Sequence, residues 1–169
     1  AIANGYPGGA LTGREEVMRF FQEQPGKAPF YGTYTGNPLT LAGMKANLEN
    51  LQDIGQQGYK EFLDRGQGLV EGLREIANDA GHDVSIPDFA GYFFMHFTDG
   101  ESDPATWTDW RDIDRHVETD KYKQFARSMI GEGVYFLPKF GRINMTHAHT
   151  DEHVNKTLEA AKVAIEDVE

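Results

Sequence analysis

Apolar residues recur at three- and four-residue intervals along two long stretches of the chain, which is the spacing of one face of an α-helix. The first stretch begins at Leu39, and the second ends near Ala80, where Gly81 stands at the place of a C-terminal cap. Gly55 and Gly58 lie between the stretches and predict a break or bend. The apolar positions are Leu41, Met44, Leu48, Leu51 and Ile54 in the first stretch, and Phe62, Leu63, Leu69, Leu73, Ile76 and Ala77, predicted to face inward, in the second.

Shorter stripes of the same kind predict three more helices. One covers residues 14–22, one follows Thr119 as its N-cap, and the last follows Thr150, whose hydroxyl suits the same role. Gly131 and Gly133 would end the middle helix. The inward positions would be Tyr122, Phe125, Ala126 and Met129, then Val154, Leu158, Ala161, Ile165 and Val168.

Apolar runs of strand length complete the pattern. The run GYFFMHF (91–97) predicts a buried strand, and residues 134–137 and 143–145 predict short ones. Loops are predicted in the polar or Gly-rich stretches 1–13, 24–38 (with one short strand) and 98–112. From Leu39 the order is helix, helix, strand, helix, strand, strand, helix. This order predicts an α+β layer, with helices on one face of a small, mostly antiparallel sheet.

The composition narrows the classes of function. The chain of 169 residues is 39% hydrophobic, enough for a core, and its 27 acidic and 16 basic residues give a formal charge of −11. Because nucleic acids and anionic membranes bind basic surfaces, neither is an expected partner. The sequence has no cysteine, no apolar run of membrane-spanning length and no signal-peptide pattern. We therefore expect a cytoplasmic protein.

Potential metal ligands cluster in HAHTDEH, residues 147–153. They are His147, His149, Asp151 and His153. The stretch resembles the zinc motif of metallo-β-lactamase-type hydrolases, but the final histidine is displaced by one residue and no histidine follows it. A helix start accounts for the same residues. Thr150 would cap the helix, and Asp151 and Glu152 would be favourable in its first turn. We therefore predict a capped helix and no metal site.

Three stretches, in order, resemble the class III, fold-type I pyridoxal-phosphate (PLP) aminotransferases, above all the branch around glutamate-1-semialdehyde aminomutase. AIANGYPGGALTGREEVM (1–18) is similar to the Gly-rich segment of the family's large domain. YGTYTGNPLTLAGMKANLENL (31–51) resembles the family's Gly-Thr-x-Ser-Gly-Asn-Pro-Leu motif, which leads into a long helix. GVYFLP followed by GRINMTHAHTDEHVNKTLEAA (133–161) resembles the C-terminal strand, Ala-His-Thr turn and last helix.

The resemblance implies the C-terminal portion of a longer α/β enzyme of fold type I. Residues 1–38 would end the large PLP-binding domain, and residues 39–169 would form the linking helix and the α+β small domain. The lysine that carries the cofactor would immediately precede Ala1, so the catalytic residues of this chain are unknown. The resemblance also implies a homodimer with an active site shared across the interface.

Two anchor sites can be assigned by the same resemblance. Gly32 and Thr33 would bind the cofactor phosphate, because small residues let backbone N–H groups approach and Thr33 adds a hydroxyl. Arg142 would bind the substrate, since a guanidinium offers a bidentate fork to a carboxylate. The structural alternatives are an ordinary turn that starts a helix at Asn37 and Pro38, and a surface salt bridge for Arg142.

The predicted function is a PLP-dependent aminotransferase that moves an amino group between an amino acid or amine and a keto acid. Where the aminomutase branch has a glutamate before the last strand, this chain has Lys139, Phe140 and Gly141. That departure favours a transaminase. Glutamate-1-semialdehyde 2,1-aminomutase, a non-catalytic assembly domain and a zinc hydrolase are the alternatives.

Overall fold

A computed structural model describes residues 2–22, 32–87, 91–139 and 141–169, so residues 24–31 of the predicted 24–38 loop lie outside the described residues. The chain divides into two compact units, Ala1–Gly55 and Gln56–Glu169, which we call the first and second units. The elements are α1 (Glu15–Gln22), α2 (Pro38–Asp79), β1 (Val84–Ser85), β2 (Tyr92–Phe94), β3 (His96–Phe97), α3 (Trp110–His116), α4 (Thr119–Gly131), β4 (Arg142–Asn144) and α5 (Asp151–Ala164), with 3₁₀ turns at Pro104–Thr106 and Ile165–Asp167. Among the described helices, none combines the length and apolar character needed to cross a membrane.

Helix α2 contains the break and the cap that its glycines predict. Gly55 leaves helical geometry, with φ 62° and ψ −172°. At the C-terminal end, the His82 amide donates a hydrogen bond to the Ala77 carbonyl at 2.9 Å, and Gly81 adopts φ 82°. This left-handed cap satisfies carbonyls that the helix itself leaves unpaired.

In the first unit, small residues let the N-terminal loop lie directly on α2. A Cβ added at Gly8 would lie 2.5 Å from Thr40 Cγ2, and one at Gly43 would lie 2.8 Å from the Tyr6 ring. The Thr40 hydroxyl also donates to the Pro7 carbonyl at 3.3 Å. These contacts hold the loop against the first turns of α2.

The apolar run 91–97 forms two strands rather than the single strand that was predicted. β2 pairs antiparallel with β4, and β3 pairs antiparallel with β1. The prediction of one sheet is therefore wrong, because the described residues form two separate two-stranded sheets. The strand predicted at 143–145 is found one residue earlier, whereas residues 134–137 form no strand.

The change from one sheet to the other occurs at Met95. Its amide donates to the Gly141 carbonyl at 2.8 Å. Gly141 has φ 63°, and a Cβ at that position would collide with the Met95 carbonyl oxygen. Only glycine combines this left-handed backbone with so close an approach.

The core of the second unit forms where three helices pack on these strands. Phe93, Met95 and Phe97 are fully buried, whereas Tyr92, which precedes them in the same run, is 40% exposed. The helical residues of this core are Leu69, Val70, Leu73, Ala77, Tyr122, Phe125, Ala126, Met129, Ala160, Ala161 and Ala164. The inward face predicted for α4 is confirmed, but Leu63, predicted to face inward, is 42% exposed.

Helix α3 lies partly inside the predicted 98–112 loop. Its N-cap, Asp109, accepts a hydrogen bond from the Arg111 amide at 2.8 Å, and the Asp112 carboxylate accepts one from the Asp109 amide at 3.3 Å. This reciprocal arrangement is a capping box built from two aspartates. The predicted Thr119 cap is wrong, since the N-cap of α4 is Glu118, which makes no side-chain capping bond.

Gly141→Ala tests the close approach to Met95. We expect the free energy of unfolding to fall by about 2 kcal/mol or more, because the left-handed backbone alone costs roughly 1–2 kcal/mol in a residue with a Cβ. Urea unfolding followed by circular dichroism measures it. Gly131→Ala is the matched control, since a Cβ there meets no atom within 4 Å. Equal stability of the two variants would contradict the account.

Candidate functional site

The first candidate site is a cleft of ≈430 Å³ in the first unit. Both predicted cofactor-binding residues, Gly32 and Thr33, line it. The described lining residues are Pro7, Gly8, Gly9, Gly32, Thr33, Tyr34, Thr35, Gly36, Asn37, Thr40, Leu41 and Met44. None of these described residues carries a charge, and several glycines leave backbone atoms accessible to a ligand.

A tight turn forms the rim of this cleft. The Thr35 amide donates to the Gly32 carbonyl at 3.0 Å, and Gly36 takes φ 74°. The amides of Thr33 and Tyr34 donate to no described residue. Unpaired amides in a turn are suited to an anion, because each can donate a hydrogen bond to it.

Asn37 ends the turn and begins α2. Its side-chain oxygen accepts hydrogen bonds from the amides of Leu39 at 3.0 Å and Thr40 at 3.1 Å. Pro38 occupies the first helical position, where a missing N–H costs nothing. The predicted turn and helix start are therefore present. The partial positive charge of the α2 N-terminus adjoins the cleft and favours a negative ligand.

The second candidate site is a cavity of ≈420 Å³ within the second unit, lined by Arg142. Arg142 lies on β4 opposite Phe94, with an exposed side chain. Its guanidinium forms no salt bridge with any residue that the structure describes. The remaining described lining is Leu69, Gly133, Val134, Tyr135, Phe136, Leu137, Ile143, Asn144, Met145, His149, His153, Val154, Lys156 and Thr157.

The histidines of the 147–153 stretch help to form a turn and a helix start. His149 Nδ1 lies 3.0 Å from the Thr146 amide, and His153 Nδ1 lies 3.0 Å from the Thr150 amide. Asp151 pairs with Arg65, with 3.2 Å between Oδ1 and Nε. The prediction that Thr150 caps the last helix is confirmed, with His153 as the reciprocal partner.

A different group of potential ligands is not apparent from the sequence: Asp99, Glu101 and His116, whose ligand atoms lie within 4.8 Å of one another in the structure. Asp99 Oδ2 lies 2.9 Å from His116 Nδ1, and the Glu101 amide donates to Asp99 Oδ1 at 3.0 Å. The Glu101 amide and then His116 hold the pKa of Asp99 below its ordinary value. His116 also stacks on Trp107, at 5.8 Å between ring centroids. These internal contacts account for the cluster.

Burial shifts the pKa values of two described side chains in the second unit. Burial lowers the pKa of His96, which stacks on Phe94 at 5.9 Å between ring centroids. Burial raises the pKa of Tyr122, whose hydroxyl donates to the Leu137 carbonyl at 3.1 Å. Both shifts follow from loss of hydration of the charged form. Neither side chain lines a candidate site.

No protein-family model matches the chain. Among solved structures, it is similar to an omega-transaminase from Sphaerobacter thermophilus (TM-score 0.76, 22% identity, 98% of this chain and 36% of that one). It is also similar to a beta-phenylalanine aminotransferase from Variovorax paradoxus (TM-score 0.67, 20% identity, 91% of this chain and 34% of that one). A third similar structure is the FumI protein of Sphingopyxis sp. MTA144 in its PLP internal aldimine form (TM-score 0.62, 19% identity, 83% of this chain and 29% of that one).

The chain therefore spans 36% or less of the length of these three structures. The matched region is the C-terminal part of the transaminase chains, which confirms the predicted fold class. This chain has the fold of the C-terminal part of a transaminase.

Proposed function

We propose that this chain is the C-terminal part of a PLP-dependent aminotransferase, which moves an amino group between an amino acid or amine and a keto acid. The observation that carries the proposal is the uncharged cleft at the start of α2, where the amides of Thr33 and Tyr34 have no partner among the described residues. The fold and the three resembling stretches support it. The protein that contains the chain is proposed to be a cytoplasmic homodimer, with its active sites shared across the interface.

The lysine that carries the cofactor is proposed to precede Ala1, so the chain supplies binding groups rather than the attacking amine. Residues 1–38 are proposed to form the end of the large domain, and residues 39–169 to form the linking helix and the small domain. The support for this division is the order of the three resembling stretches. The same resemblance assigns the cleft beside Thr33 to cofactor binding and Arg142 to substrate binding.

The residues of the first cleft fit a cofactor phosphate. Gly32 and Thr33 would hold it through backbone amides and the Thr33 hydroxyl, and no described lining residue is an acid that would repel it. When bound, PLP supplies an electron sink for bonds at the carbon that bears the amino group. The protein's contribution at this cleft is to fix the position of the phosphate.

Arg142 is proposed to orient the substrate. Its guanidinium is exposed on β4 and can form two parallel hydrogen bonds to a carboxylate. Fixing the carboxylate leaves the amino group of the substrate in one orientation, which lowers the entropic cost of reaction. We favour transfer to a separate keto acid over glutamate-1-semialdehyde 2,1-aminomutase because this chain has Lys139 and Gly141 near the position of that branch's glutamate. A dependence of turnover on added keto acid distinguishes the two reactions.

Thr33→Ala tests the phosphate anchor. We expect the dissociation constant for PLP to rise about ten-fold, because the variant loses one hydrogen bond to a charged group. Titration of the cofactor-free protein with PLP, followed by absorbance, measures it. Thr12→Ala is the control, since Thr12 is exposed in the first unit and does not line the cleft. Wild-type affinity in Thr33→Ala would remove Thr33 from the site.

Arg142→Gln tests the substrate anchor. With an amino acid as donor, kcat/KM should fall about 10- to 100-fold, because the bidentate contact to the carboxylate is lost. With an amine that lacks a carboxylate, kcat/KM should change little. Steady-state kinetics with both donors provides the comparison. An equal loss with both donors would show that Arg142 supports the fold rather than the carboxylate.

A further inference from the structure

The cavity that contains Arg142 differs in charge from the rest of the protein. The chain has a formal charge of −11, yet none of the described residues that line this cavity is acidic. The basic or imidazole side chains around it are Arg142, His149, His153 and Lys156. A nearby open pocket in the same unit is lined instead by Glu61, Asp64 and Asp151 around Arg65. Of these two pockets, the cavity that contains Arg142 is therefore the one suited to an anion.

Lys156 lacks the partner that its helix could provide. Glu152 stands four residues before it on α5, the favourable spacing for an ion pair, and Glu159 stands three residues after it. Glu159 pairs instead with Lys162 at 2.8 Å. Among the described residues, Lys156 forms no salt bridge or hydrogen bond. Other lysines do pair at such spacings, namely Lys45, Lys60, Lys121, Lys123 and Lys162.

Two imidazoles, those of His149 and His153, line the same cavity. The Nδ1 atoms of His149 and His153 each accept a backbone N–H, from Thr146 and Thr150 respectively. The cavity is thus lined by a guanidinium, an ammonium and two imidazoles whose Nδ1 atoms contact the backbone.

Apolar side chains form about half of the described lining. They are Leu69, Val134, Phe136, Leu137, Ile143, Met145 and Val154. Inorganic anions gain nothing from such a surface, whereas an organic acid can place its carboxylate on the cations and its hydrocarbon part on this wall. The volume of ≈420 Å³ is within the range of small-molecule sites.

We propose that this cavity binds an organic carboxylate with an apolar body, and that Lys156 is a second cationic anchor beside Arg142. The inference rests on the proposed function in one respect, the assignment of Arg142 to the substrate carboxylate. It adds Lys156 as a residue that determines specificity. It also names the substrate class as acids whose side chain is apolar.

Calorimetric titration of the purified intact protein with benzoate tests the proposal, with benzamide as the neutral probe of the same shape. Benzoate should bind saturably and benzamide should not. Lys156→Gln should weaken benzoate binding about three- to five-fold, the range for an exposed ion pair, while Lys156→Arg should retain most of it. Lys162→Gln is the matched control, because Lys162 lies on the same helix but outside the cavity.

Equal binding of benzoate and benzamide, or unchanged benzoate affinity in Lys156→Gln, would overturn the proposal. The visible absorbance of bound PLP, recorded on the same samples, separates the two hypotheses. A protein that holds PLP but shows no charge-dependent benzoate binding contradicts only the role of Lys156 and its cavity. A protein that binds benzoate through Lys156 but never binds PLP contradicts only the proposed aminotransferase function.

Discussion

The second unit depends on the close contact between Gly141 and Met95, where one run of chain leaves one sheet and enters the other. The contact lets Phe93, Met95 and Phe97 all enter one core even though they serve two pairings. It also determines where Arg142 lies, because the residue after Gly141 begins β4. A backbone constraint at one glycine thus connects the packing of the core to the position of the candidate substrate anchor.

Local signals in the sequence were enough to predict most helices. The break at Gly55, the cap at Gly81 and the Thr150 helix start each depend on residues close together in the chain. Pairing in sheets depends instead on distant partners. The 91–97 run is apolar at nearly every position, so its sequence contains no alternation that would set a register or reveal a switch of sheets. The exposure of side chains could not be predicted from the pattern either, since Leu41 and Leu48 belong to a clear apolar stripe yet remain about half exposed.

The two candidate sites differ in how far the sequence could predict them. Gly32 and Thr33 lie in one contiguous motif, and the structure places both on a cleft at the start of a helix. The role proposed for Lys156 could not be predicted from its neighbours in the sequence, because Glu152 and Glu159 suggest an ordinary ion-paired position. Only the assembled cavity, made from four separate segments of the second unit, shows that Lys156 and Arg142 line one space with no acid among its described lining residues.

The most direct test of the aminotransferase account is the visible absorbance of the purified intact protein with PLP, first alone, then with an amino donor, and then with a keto acid. An aminotransferase should show a band from bound PLP that the amino donor changes and the keto acid restores, with formation of an equivalent amount of new amino acid. Chromatography quantifies that product. A protein that binds no PLP, or whose band responds to neither addition, would contradict the account.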